Sequence, residues 1–125
     1  MTLLVRDRMT IGVPVCRETE PCGSVAARLA ALPCAEVVVA LDEDGMASGW
    51  ARREALAAQP AGRRVGEVMD EAIPSVPPDI PIAAALQLMA DRCVDYLFLM
   101  HDWPGEPRPS AVIARREIER SLEAQ

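Results

Sequence analysis

The sequence has no lysine: all 13 basic residues are arginine, set against 19 acidic ones for a net charge of −6. It has a single histidine, His101, and aromatic residues make up only 3% of the chain. An acidic chain without a basic stripe is a poor partner for nucleic acid or for an anionic membrane surface. Long apolar runs are missing too, so no segment reads as inserting into a membrane. Arg6, Asp7 and Arg8 stand where a secretion signal needs an uninterrupted apolar stretch, and the expected location is cytoplasmic. No CxxC pair occurs among Cys16, Cys22, Cys34 and Cys93, which argues against a zinc site or a dense disulfide framework. These cysteines are expected to be free thiols packed as small hydrophobes. No Ser-His-Asp order, paired-carboxylate motif or phosphate loop is present, so the expectation is a protein that is not an enzyme.

What the chain does have is a repeat. Ala51-Arg52-Arg53-Glu54 recurs as Ala114-Arg115-Arg116-Glu117, at a spacing of 63. Val5-Arg6-Asp7-Arg8-Met9 is echoed by Val65-Gly66-Glu67-Val68-Met69 at a spacing of 60. Cys34 to Val39 lines up with Cys93 to Phe98 at a spacing of 59. A self-similar unit of half the chain divides it into residues 1–62 and 63–125, joined by the short linker Gln59-Pro60-Ala61-Gly62. Half the residues are hydrophobic, enough for one shared interior.

Each half reads as strand, helix, strand, strand, helix. In the first, Val13-Pro14-Val15 is extended around its proline. Val25, Ala26, Leu29, Ala30 and Leu32 have helical spacing after a cap at Gly23-Ser24, and Pro33 stops the helix. Val37 to Leu41 is a continuous apolar run of the kind buried on both faces of a sheet. Asp42 to Gly45 is a hairpin turn, Met46 to Ala51 the returning strand, and Arg52 to Ala58 a helix. In the second half, Pro74-Ser75-Val76 is extended and Ile82 to Arg92 is a helix. Asp95 to Met100 is the buried strand, Ser110 to Ala114 its return, and Arg115 to Glu123 the last helix. His101 to Pro109 is expected to be a long, proline-stiffened loop between the two strands.

A β-α-β-β-α unit opened by a V-x-x-x-M segment, and closed by a strand running into an R-R-[DE]-aliphatic helix start, resembles a CBS domain. The resemblance rests on Val65 to Met69, Ile73 to Val76, Asp79 to Met89, Asp95 to Met100 and Val112 to Ile118. In the first half Gly49 to Leu56 carries it. Two such units in tandem resemble a Bateman module. That resemblance implies an α+β fold with the two β-α-β-β-α repeats packed about a pseudo-two-fold axis, and a homodimer. It also implies a regulatory module that binds an adenosine-containing ligand (AMP, ATP or S-adenosylmethionine) in the cleft between repeats and signals to a regulated enzyme or transporter.

The same resemblance nominates the site. Val13, Val37, Val76 and Tyr96 would line an adenine slot. Ala51 and Ala114 fall where ligand-binding members show a Ser or Thr, and Glu54 and Glu117 where they show an Asp. Arg52, Arg53, Arg115 and Arg116 stand at helix starts, where a guanidinium pair suits a phosphate. Each also has a plain structural reading: core packing for the valines, surface ion pairs for the arginines, dipole partners for the glutamates. With the hydroxyls replaced, the alternative function is a ligand-free dimerisation or protein-interaction module. Cys34 and Cys93, at matching positions, could form a redox pair, although small-residue packing suits them better.

Overall fold

The computed structural model describes residues 2–33, 35–103 and 106–123. A 3-10 turn, Val5–Asp7, precedes β1 (Thr10–Ile11), β2 (Val15–Arg17), α1 (Cys22–Ala30), β3 (Val37–Leu41), β4 (Ala47–Arg52) and α2 (Arg53–Ala57). Then follow α3 (Val65–Val68), α4 (Ile82–Arg92), β5 (Tyr96–Trp103), β6 (Glu106–Ala114) and α5 (Arg115–Glu123). The mix of helices and two three-stranded sheets is the α+β class that the sequence implied.

The chain forms two compact units: Val13–Ile73, and Met1–Gly12 together with Pro74–Gln125. The linear halves 1–62 and 63–125 are units of sequence similarity; the compact units are units of packing.

In Val13–Ile73 the sheet order is β2-β3-β4, with β2 parallel and β4 antiparallel to β3. Val37, Val38, Val39 and Ala40 are buried in succession, as the continuous apolar run required. The β3–β4 turn is locked by Asp42, whose Oδ1 accepts from the N–H groups of Asp44 at 2.9 Å and Met46 at 3.0 Å. Gly45 supplies the positive φ of 81° that this turn needs. Helix α1 buries Cys22, Val25, Ala26 and Leu29 on one face, and with Leu56 of α2 they form this unit's core. The cap expected at Gly23-Ser24 is not used. The helix starts at Cys22, whose N–H donates to the Arg63 carbonyl at 2.7 Å, so a tertiary bond replaces a side-chain cap.

In the other unit the order is β1-β6-β5, all antiparallel. Helices α4 and α5 have the predicted bounds, and bury Ile82, Ala85 and Met89, and Ile118 and Ser121, respectively. The loop expected over His101 to Pro109 is a correction: the ladder continues to Trp103 opposite Glu106. Pro107 stands opposite Asp102 and Pro109 opposite Met100, and a register shift between Leu99 and Met100 falls beside the second proline, the kind of irregularity at which a strand accepts one.

The two echoed V-x-x-x-M segments have changed places. Val5 comes from the first half, yet it is fully buried in the core built by Met89, Leu97, Ile113 and Ile118. Val65 comes from the second half and is fully buried with Val25, Leu29 and Leu56. The bonds that seat them match pair for pair. Val5 N–H donates to Ile80 O at 2.9 Å and Val65 N–H to Glu20 O at 3.0 Å; Arg6 N–H donates to Pro78 O at 3.0 Å and Gly66 N–H to Glu18 O at 2.8 Å. Ile82 N–H donates to Leu3 O at 3.0 Å, matching the Cys22 to Arg63 bond. Each short turn is closed by a carboxylate: Asp7 accepts from Leu4 N–H at 2.9 Å and Glu67 from Arg64 N–H at 3.1 Å. Arg8 Nε also donates to Ser121 Oγ of α5 at 2.9 Å.

Two further features of Val13–Ile73 concern charge. Glu20 takes both guanidinium nitrogens of Arg28, at 2.8 and 3.2 Å, and the Arg17 N–H at 2.7 Å. The Arg28 side chain and then the Arg17 N–H hold the Glu20 carboxyl below its ordinary range. Burial, with Glu20 nearby, pushes the Cys16 thiol up to about 11, and burial also raises that of Cys22. Cys93 departs from the expected packing role: it is exposed, in a left-handed conformation at the end of α4. Cys34 lies outside the described residues, so the Cys34–Cys93 redox pair has no described geometry.

Val5→Ala and Val65→Ala should each cost about 2 kcal/mol in chemical denaturation, because each leaves a cavity in a closed core. Ile11→Ala, at a side chain 73% exposed, should change stability by less than about 0.5 kcal/mol. Equal effects at all three positions would contradict the exchange. Glu20→Gln should lower stability by about 0.5 kcal/mol at neutral pH, the scale of a partly exposed ion pair. A depressed carboxyl pKa stabilises the fold above the ordinary glutamate range, and the contribution fades as pH falls through the depressed value. The melting-temperature gap between wild type and Glu20→Gln should therefore close at acid pH; a constant gap would refute it. Peptide-level mass spectrometry after brief alkylation at neutral pH should find Cys93 modified well before Cys16 and Cys22, which stay protonated and buried.

Candidate functional site

The nominated residues sit where a sheet strand turns into a helix, and the register there decides which of them correspond. The Ala-Arg-Arg-Glu identity has a spacing of 63, but the ladders have a spacing of 62. Val37 stands opposite Arg52 and Val38 opposite Ala51, whereas Tyr96 stands opposite Ala114 and Leu97 opposite Ile113. Since Val37 and Tyr96 are equivalent, Arg52 corresponds to Ala114, Arg53 to Arg115 and Ala55 to Glu117.

Three contacts and one pair of buried side chains agree. The Arg53 N–H donates to Glu36 O at 2.7 Å, as Arg115 does to Asp95 O at 2.8 Å. The Arg53 guanidinium donates to Ala35 O at 3.3 Å, as that of Arg115 does to Val94 O at 3.4 Å. Trp50 bridges Asp70 as Val112 pairs Thr10. Leu56 and Ile118 are both fully buried. The expected equivalences of Ala51 with Ala114 and of Glu54 with Glu117 are thus corrected by one residue. A shift of one along a strand sends a side chain to the other face, which is why Ala51 is in the core while Ala114 is half-buried.

The first set of nominated residues is dispersed. Val13 is half-buried just before β2, Val37 is buried, and Ala51 packs in the core. Arg52 Nη1 is 3.8 Å from Glu54 Oε1, a surface pair whose glutamate is 82% exposed. Gly49, next to this junction, has no room for a side chain: a Cβ there would lie 2.8 Å from the Asp70 carbonyl oxygen. At the place of Glu117 this repeat has Ala55, so it lacks a carboxylate there.

The second set is partly gathered. Tyr96, Ala114, Arg115 and Arg116 line one depression of about 270 Å³, together with Asp95 and Glu119. Val76 belongs to the core beneath, and Glu117 is half-buried on α5, its carbonyl accepting the Ser121 hydroxyl at 2.8 Å. Arg115 is held across the mouth of the strand pair. Its Nε lies 3.4 Å from Asp95 Oδ1, in ion-pair range but outside hydrogen-bond geometry. Asp95 and Glu119 were not nominated as site residues from sequence. The signal for Asp95 was its place one residue before Tyr96, and for Glu119 its helical spacing three residues after Arg116.

A second hollow, of about 330 Å³, is lined by Arg17, Glu18, Thr19, Leu41, Asp42, Glu43 and Asp44. Two of its four carboxylates are used within the fold: Glu18 accepts from the Ser48 hydroxyl at 2.8 Å, and Asp42 closes the β3–β4 turn. Among the described residues no group of His, Cys, Asp and Glu is arranged to hold a metal ion. Among them, too, no helix is long and apolar enough to cross a membrane. The Tyr96 depression offers two guanidiniums, two carboxylates and one phenol around a small hollow. That set can bind and orient a polar ligand.

Comparison with known proteins agrees with this fold. The family model for the CBS domain matches residues 65–122. A sequence comparison with curated proteins gives no match. Among solved structures, the CBS-domain pair of protein MJ0100 in complex with 5′-methylthioadenosine and S-adenosylmethionine superposes with a TM-score of 0.83. It is 16% identical, with 99% of this chain and 98% of that one covered. The CBS-domain protein ATU1752 from Agrobacterium tumefaciens gives 0.79 at 17% identity, covering 98% and 95%. The cytosolic domain of the Mg2+ channel MgtE in complex with ATP gives 0.73 at 24% identity, covering 91% of this chain and 46% of that one. Identities this low speak for the fold alone. Residues 65–122 match the model of the CBS domain, and the described chain has the fold of CBS-domain pairs.

Proposed function

We propose that this protein is a non-enzymatic regulatory module that binds an adenosine-containing ligand at the Tyr96 depression and passes the signal to a partner. The observation that carries this reading is the gathering of Tyr96, Ala114, Arg115 and Arg116 around one hollow of about 270 Å³. That volume is close to the lower end of ordinary ligand sites, about 300–1,000 Å³, so a nucleoside suits it better than a large cofactor. Relatives of the same fold support the ligand class: one is in complex with 5′-methylthioadenosine and S-adenosylmethionine, another with ATP. The alanine at position 114 removes a hydroxyl contact worth about 0.5–1.5 kcal/mol, which weakens such a site without closing it. Regulation then requires that the ligand favour one arrangement of the protein over another. A ligand-free interaction module is the competing reading, favoured by the first repeat, where Arg52 is paired to Glu54 and Ala55 replaces the carboxylate.

Thermal denaturation separates the two. An adenosine ligand that binds only the folded protein should, at 100 times its Kd, add about 2.7 kcal/mol of stability. Arg116→Ala should reduce that stabilisation, and Arg52→Ala should leave it in place. No stabilisation by 5′-methylthioadenosine, S-adenosylmethionine, AMP or ATP at millimolar concentration would favour the interaction module.

A further inference from the structure

We infer that the segment of residues 2–12 is a strap whose docking is coupled to occupancy of the Tyr96 depression, so that its closing and release are the signal the site sends. The strap's role rests on the reading of that depression as a ligand site, and it names the element through which the site acts.

The strap is fastened to the two elements that carry most of the hollow's lining. Strand β6 supplies Ala114, and helix α5 supplies Arg115, Arg116 and Glu119. Thr10 and Ile11 pair with Val112 and Ala111 of β6, and the Gly12 N–H donates to Ser110 O at 2.9 Å. Arg8 Nε donates to the Ser121 hydroxyl at 2.9 Å, and that hydroxyl donates in turn to Glu117 O at 2.8 Å, one residue after Arg116. Val5 is buried in one core with Ile113, which precedes Ala114, and with Ile118, which precedes Glu119. When the strap leaves, the core loses Val5, β6 loses its outer partner and α5 loses its tie. The junction that shapes the hollow is then less well held. A ligand that needs that shape binds the docked form better, and such a difference in affinity is what coupling requires.

The strap is also built to open. Of its residues only Val5 is buried, and Ile11 is 73% exposed. Its ladder is two residues long. The chain leaves it through Gly12 at a φ of 85°, a left-handed turn that glycine adopts freely. A short, exposed ladder with a single buried anchor opens locally at lower cost than the body of the fold.

Hydrogen exchange of the full chain, read by peptide-level mass spectrometry, tests this without ligand and with 5′-methylthioadenosine, S-adenosylmethionine, AMP or ATP at millimolar concentration. A probe that raises the melting temperature should slow exchange of the strap amides at least about fivefold, the lower end of ordinary coupling between sites, beyond any change in α1. Coupling is reciprocal, so strap variants should weaken the binding of that probe by a similar factor in isothermal titration. Arg8→Ala removes the tie to Ser121, and Gly12→Pro forbids the positive φ and removes the N–H donated to Ser110; neither position lines the hollow. A probe that stabilises the protein yet leaves strap exchange unchanged, or slows α1 equally, would overturn the coupling and leave the ligand site standing. Unaltered affinity in both variants would do the same. Absence of binding by all four probes would overturn the ligand site and the strap's role together.

Discussion

The exchange of two short segments is the constraint on which the rest of the structure depends. Val5 and Val65 each close a core made mostly from the other half of the sequence, and neither core is complete without the borrowed valine. The bonds that seat them are backbone N–H to carbonyl bonds, so they fix position without depending on particular side chains. That explains how the two segments can differ as much as Arg6-Asp7-Arg8 and Gly66-Glu67-Val68 and still dock alike. The one side-chain rule they share is an acid at the third position, Asp7 or Glu67, reaching back to cap its own turn.

Exchange also links the local elements to the site. Met1–Gly12 brings β1 to the edge of β6, and Arg8 to Ser121 on α5. Strand β6 and helix α5, with the start of β5, form the Tyr96 depression. In the other unit Asp70 bonds both ways with the Trp50 backbone, at 2.9 Å each, on the strand that ends at Arg52. The two strand-to-helix junctions are therefore braced in the same manner, but they present different side chains. One offers Ala114 and Glu117 with a gathered set of charges; the other offers Arg52, tied to Glu54, and Ala55. The same backbone device thus carries two chemically unequal junctions.

Much of the fold was legible because it is local. Helices Ile82–Arg92 and Arg115–Glu123 and strand Val37–Leu41 follow from apolar spacing alone, and the Asp42–Gly45 turn from its residue types. Where the sequence misled, a long-range contact had intervened. The start of α1 is set by the Arg63 carbonyl rather than by Ser24, and β6 runs through Pro107 and Pro109 because Asp102 and Met100 of β5 stand opposite them. Of the nominated residues, Tyr96, Ala114, Arg115 and Arg116 line one depression, and Asp95 and Glu119, which were not nominated, line it too. Their carboxylates matter only because pairing brings β5, β6 and α5 together.

The sequence by itself determined that the chain is a repeat, which elements each copy contains, and that its basic residues are all arginine. Tertiary structure alone decided how the copies correspond. Four identical letters argue for Ala51 with Ala114, but strand pairing puts Arg52 there instead. The reason is physical: letters compare residue types, whereas a ladder compares hydrogen-bonding positions, and in a strand one position is the difference between core and surface. The ladder also decided the partners of Arg115. It stands beside Asp95 because Tyr96 pairs with Ala114, and a guanidinium beside a carboxylate is a different binding group from a guanidinium alone.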